Sequence, residues 1–203
     1  RNAARLLKDE LKIGPATGSR WMSVSKLAFK IGEIETGLEA SRRNSETMPR
    51  TLNTLLNYCG DLAGVGRSSE ALQLINKLPT SVQSHAAVSH FRATVASEHG
   101  DFERAKALLQ KALAVTPTSP HFLFAMAMLK TFKFNDEDFR YLKAAEQNAG
   151  RYDLKTQARL QYAIAKAYID VDDIDTGFTY YNRGARLRSK DEPYDSERTT
   201  RFA

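Results

Sequence analysis

Four histidines, His85, His90, His99 and His121, are the first residues to weigh as metal ligands. No two of them stand four apart, the spacing that presents a pair on one helical face, and no Cys-x-x-Cys accompanies them, so zinc chemistry is not indicated. Asp170, Asp172, Asp173 and Asp175 have the density of a calcium loop, yet the central glycine and closing glutamate of such a loop are missing. That run reads as a helix end, a turn and an N-cap. Gly64 to Ser69, GVGRSS, has the look of a phosphate loop. It follows LLNYCGDLA, whose periodicity is helical rather than that of a strand, so it reads as an inter-helix turn. No Ser/His/Asp or Cys/His set falls on one face. The sequence therefore assigns no catalytic residue, no metal and no cofactor.

Binding chemistry is better represented. Thirty Lys+Arg stand against 24 Asp+Glu, a net charge of +6 that favours acidic partners. Arg183, Arg186, Arg188 and Lys190 form the densest basic stretch, but it lacks interleaved aromatics and runs at once into Asp191, Glu192, Asp195 and Glu197. Cations in the last turns of a helix complement its dipole, which is the reading adopted, with nucleic acid an unfavoured partner. At 42 % apolar and 27 % charged the chain is globular in composition. Its longest uncharged run, Ala112 to Leu129, has 18 residues and is interrupted by Pro117 and Pro120, too broken to span a bilayer as one helix. The single cysteine, Cys59, excludes an internal disulfide and fits a reducing, cytoplasmic setting. The chain begins at Arg1 and is read as truncated at its N-terminus.

The elements that must position these residues follow from an internal period. Gly32, Gly66 and Gly100 are 34 residues apart each time. Five residues beyond each stands a small residue, Gly37, Ala71 or Ala105, and seven before each stands Ser25, Cys59 or Ala93. Small residues let two helices cross with their backbones close. A glycine after the first helix supplies the positive φ that reverses the chain. Pro117, and Pro15 earlier, end second helices. Asp172 takes the turn position in the last unit, where Asp tolerates left-handed backbone better than most residues. Asn135-Asp136 is the expected cap in a fourth unit that has no turn glycine.

This period and pattern resemble the tetratricopeptide repeat, most clearly in FRATVASEHGDFERAKALLQKALAVTPTSP, with Ala93, Gly100, Asp101, Ala105, Ala112 and Pro117 in register. The resemblance implies an all-α, right-handed α-solenoid of stacked antiparallel helix pairs. Residues 1–15 are the expected leading half-repeat, 18–50, 52–84 and 86–118 regular units, 120–150 a degenerate unit, 158–190 the last unit, and 191–203 an exit segment. Phe132 to Asp195, about 64 residues, also resembles the end of the repeat region in bacterial repeat-containing sulfotransferases, through FKFNDEDFRYLKAAEQNAG, the Ala165-Lys166-Ala167 helix and the terminal Tyr194-Asp195. Ala185 departs from the Asn usual there. The resemblance implies a catalytic domain beyond Ala203 and a non-catalytic scaffold here.

Projecting the family's groove-facing positions gives Met22, Lys26, Phe29 and Lys30, then Asn53 and Leu56, then His90 and Thr94. Later first helices add His121, Phe124, Met128, Arg159, Tyr162 and Lys166. These aromatic and cationic residues imply an acidic, partly apolar peptide or protein partner. The family's clamp for C-terminal carboxylates needs a Lys/Asn set on successive helices, of which only Asn57 is present. Self-association through an exposed end of the array is the alternative expectation.

Overall fold

The computed structural model describes residues 2–13, 20–47 and 49–193; Pro15, Tyr194 and Asp195 lie outside them. Among the described residues there are twelve α-helices and no strand, which is the all-α array of helix pairs that the residues imply. In order they are α1 (Asn2–Glu10), α2 (Arg20–Lys30), α3 (Ile34–Glu46), α4 (Leu52–Gly64), α5 (Ser68–Asn76), α6 (Thr80–Gln83), α7 (Ala86–Glu98) and α8 (Phe102–Val115). Then come α9 (Pro120–Leu129), α10 (Glu137–Gln147), a 3-10 turn (Ala149–Arg151), α11 (Leu154–Asp170) and α12 (Ile174–Asp191). No described helix is long and apolar enough to cross a membrane. The chain forms two compact units, Arg1–Phe91 and Arg92–Ala203, with the division inside α7.

Four corners between first and second helices share one backbone conformation. Gly32, Gly66 and Gly100 have φ of 80°, 82° and 79°, and Asp172 follows with 65°. In each, the next residue's N–H reaches back five positions: Glu33 to the Ala28 carbonyl, Arg67 to Leu62, Asp101 to Ala96 and Asp173 to Tyr168, at 2.8–3.0 Å. These are Schellman closures, which satisfy carbonyls that the ending helix leaves open. The helices that follow differ in their caps. Asp101 accepts from the Arg104 N–H and Asp173 from the Thr176 N–H, whereas Glu33 and Arg67 make no side-chain cap bond. Asp136 caps α10, as its type predicts.

In the first unit, Trp21, Val24, Ala28 and Ala40 bury the crossing of α2 and α3, with Leu7 of α1. Arg43 lies 4.9 Å from the Trp21 ring centroid and donates to the Leu11 carbonyl at 2.7 Å, a cation set against the turn that follows α1. In α4, Cys59 and Leu62 are fully buried.

In the second unit, α9 reads apolar nearly all round, PHFLFAMAML, and it is packed on α8, α10 and α11. Leu109, Leu123, Met126, Phe132, Leu142 and Ile164 form the centre of that core. α11 and α12 approach closest at glycines. A Cβ on Gly184 would lie 2.5 Å from the Tyr162 ring. Tyr180, a buried residue of α12 stacked on Tyr168 of α11, accepts from Lys143 of α10 at 2.6 Å and donates to Glu146 at 3.2 Å.

Candidate functional site

The projected residues fall partly in each unit. In the first, Met22, Lys26 and Lys30 are exposed on α2, while Phe29 turns inward against Gly37, where a Cβ would meet its ring at 2.9 Å. Phe29 is thus a packing residue that fills the space the glycine leaves. Asn53 is exposed and Leu56 half-buried on α4, and His90 is half-buried on α7.

In the second unit, Thr94 is exposed on α7, and α9 carries His121, Phe124 and Met128 at helical spacing of three and four. His121 and Met128 are exposed and Phe124 half-buried. Arg159, from α11, sets its guanidinium 5.7 Å from the Phe124 ring centroid. His121 keeps solvent access, yet loss of water around its ring lowers its pKa, with Arg159 acting in the same direction and Asp153 opposing. Tyr162 is half-buried and packs on Gly184 and on Tyr181, with ring centroids 5.9 Å apart.

Lys166 does not serve as a free cation. Its ammonium donates to the Lys130 carbonyl at 2.8 Å, and Asp170 one turn on takes its charge. The same Asp170 carboxylate accepts from the Phe132 N–H at 3.0 Å. Lys130 is the C-cap residue of α9, so Lys166 and Asp170 together satisfy the irregular backbone between α9 and α10. The i, i+4 spacing of Lys166 and Asp170 was the available signal.

Two cavities also open beside the second helices. One, of about 460 Å³ in the first unit, lies between α3, α4 and the α5–α6 corner. The other, of about 350 Å³ in the second unit, lies between α8, α9 and α10. No projected residue lines either one. Among the described residues no group of three His, Cys, Asp or Glu could hold a metal ion. Arg188, in the basic stretch, is paired with Asp191 at 2.7 Å and with Glu192.

No protein-family model matches the sequence, and no curated protein matches it. Solved structures do resemble the fold. Yeast Tom70 superposes with a TM-score of 0.65 at 14% identity, over 91% of this chain and 39% of its own. A chain of the APC/C hetero-tetramer Cut9-Hcn1 gives 0.59 at 18% identity, over 92% of this chain and 36% of its own. A kinesin light chain-type protein of Podosopora anserina with nearly identical TPR-like repeats gives 0.51 at 14% identity, over 86% of this chain and 96% of its own. This chain therefore spans under two fifths of the first two. At such identities the likeness concerns backbone alone. Together with the four matching corners, it makes this fold a tetratricopeptide-like array of helix pairs.

Proposed function

We propose that this chain is a non-catalytic scaffold that recruits an acidic, partly apolar protein or peptide through the exposed first-helix faces of its two units, each taken by itself. The observation that carries this reading is the Phe124–Arg159 pair, a cation over an aromatic ring on the α9–α11 face, flanked by exposed His121 and Met128. A carboxylate would meet Arg159, and an apolar side chain would meet Phe124 and Met128. Lys26, Lys30 and Met22 offer the same chemistry on α2. The fold supports a scaffold because each helix pair adds surface without building an enclosed reaction site. The repeat boundaries given above belong to this reading, as does the attachment to a sulfotransferase-type domain, which rests on the sequence of 132–195. Sequencing the parent gene past Ala203 tests that attachment: a strand leading into a Gly/Ser/Thr-rich loop supports it and a stop codon removes it.

Selection from a displayed peptide library, followed by calorimetry on the selected peptide, tests the recruiting face. Lys26→Glu should weaken binding in a salt-dependent way, and Phe124→Ala should weaken it with little salt dependence. Arg188→Glu should leave it unchanged, because that guanidinium is already neutralised by its neighbours. Equal losses from Arg188→Glu and Lys26→Glu with Phe124→Ala silent would sink this reading in favour of a basic nucleic-acid surface.

A specific observation favours self-association as a second reading. Ile174, Phe178 and Tyr181 are 55%, 63% and 37% exposed and share one stripe of α12. Such an exposed apolar stripe suits burial against another copy. Analytical ultracentrifugation of Phe178→Lys against the parent chain separates this from a monomeric scaffold.

A further inference from the structure

In the first unit one second helix is cut short, and the space it gives up is a cavity. α5 ends at Asn76 after 9 residues, whereas α8, its counterpart in the following pair, runs for 14. Pro79 is the cause, since it has no N–H to continue the helix and biases Leu78 away from helical backbone. The chain then turns into α6, where the N–H groups of Val82 and Gln83 close on the Pro79 carbonyl. The Gln83 side-chain amide donates to the Leu78 carbonyl at 2.8 Å and to that of Asn76 at 3.1 Å, so the corner is fastened in place.

The resulting chamber of about 460 Å³ has Leu52, Leu55 and Tyr58 on one side and Leu74, Leu78 and Val82 on the other. Its size suits a small ligand. Arg42, Glu46 and Arg50 stand at its rim. Arg42 is consumed by Glu39 and Glu46, at 2.8 and 2.7 Å. The Ser45 hydroxyl is spent on the Arg42 carbonyl and that of Thr51 on capping α4. Burial holds the Tyr58 hydroxyl above its ordinary pKa, so it adds no negative charge. Arg50 spends only its Nε, on the Glu46 carbonyl at 3.3 Å, and its two terminal nitrogens have no partner among the described residues. An aliphatic chamber therefore has one unspent guanidinium at its mouth.

We propose that this cavity binds a medium-chain aliphatic carboxylate, its alkyl chain among Leu52, Leu55, Leu74, Leu78 and Val82 and its carboxylate on Arg50. The rim calls for one anionic group and offers no row of unpaired donors to read the amides of a peptide, which favours an amphiphile over a chain segment. The site shares no residue with the first-helix face, so it stands or falls independently of the scaffold reading.

The test is a titration of the full chain with hexanoate, octanoate and decanoate, followed by methyl NMR. Affinity should rise by up to about fourfold per added methylene until the chamber is filled, with shifts confined to the five named aliphatic residues. Arg50→Gln should weaken decanoate about tenfold and leave decanol unchanged, with circular dichroism confirming the fold. Val82→Trp should block both ligands by occupying the space, and Leu78→Phe serves if that variant does not fold. Affinity independent of chain length, shifts elsewhere in the chain, or an Arg50→Gln variant that binds decanoate as before would overturn the proposal. So would saturable shifts from an aliphatic peptide with none from decanoate, which would hand the site to a protein partner.

Discussion

A Cβ placed on Gly177 would lie 3.0 Å from the backbone oxygen of Ala165 and 2.5 Å from Cγ1 of Ile169. The α11–α12 crossing is thus set by the absence of a side chain. Gly177→Ala should destabilise the chain by about 1–3 kcal/mol through overpacking. Gly60→Ala is the contrast: it lies inside α4 with nothing within 4 Å, so it should stabilise by about 0.5–1 kcal/mol through helix propensity. Denaturant midpoints with unchanged m-values measure both, and a destabilising Gly60→Ala would place α4 differently.

The corners make a second pair. Gly100, at φ 79°, carries no side chain to strain, and Val there should cost at least the roughly 1–2 kcal/mol of a left-handed residue. Asp172→Gly should gain stability at the equivalent corner, where Asp pays part of that strain. Thermal melts in which both variants match the parent chain would contradict the shared conformation.

Cys59 is a third. It is fully buried, and burial pushes its thiol up to about 11, while Sγ lies 3.8 Å from the Ala71 carbonyl. At pH 8 the folded chain should react with an aromatic disulfide reagent only on the timescale of unfolding. Rapid stoichiometric reaction in native buffer would show the α4–α5 crossing to be open.

Lys166 and Lys26 are expected to separate stability from binding. Lys166→Ala should cost about 1–3 kcal/mol, because Asp170 and the Lys130 carbonyl lose their donor in a half-buried setting. Lys26→Ala, on an exposed face, should stay within about 0.5 kcal/mol. Melts of the two variants decide this, and a silent Lys166→Ala would return that residue to the recruiting face.

His121 gives a pH dependence. With its folded pKa held below the ordinary value near 6.5, the unfolded chain takes up the proton first on acidification. The His121 contribution is therefore complete above about pH 6.5 and is lost as pH falls toward the folded pKa. His121→Gln should flatten the stability profile in that window. A parent and variant with parallel profiles between pH 5 and 7 would refute the shift.

The turns and close crossings were legible because their demands are local. Gly32, Gly66, Gly100 and Asp172 each need one backbone conformation, and a fixed period repeats the need. Gly177 stands five residues beyond Asp172, the offset of Gly37, Ala71 and Ala105 from their turn glycines, and is legible in the same way. The pairing of Lys166 is not legible in the sequence, because it depends on the Lys130 carbonyl, 36 residues earlier, which only packing brings within reach. The packing of Phe29 is hidden for a related reason: the sequence shows the small residue at Gly37 but not which neighbour fills the space it leaves. The short α5 had a visible signal in Leu78-Pro79, yet the fastening of its corner by Gln83 is tertiary and carries no period.

The uneven caps on the second helices have a consequence for amide exchange. Asp101 and Asp173 protect the first turns of α8 and α12, while α3 and α5 start from Glu33 and Arg67 with no such protection. Local opening should therefore begin at the starts of α3 and α5, and their backbone amides should take up deuterium first among the second helices. The first unit would breathe at its corners while the second stays shut, so a chain with near-identical turns would have a graded native state.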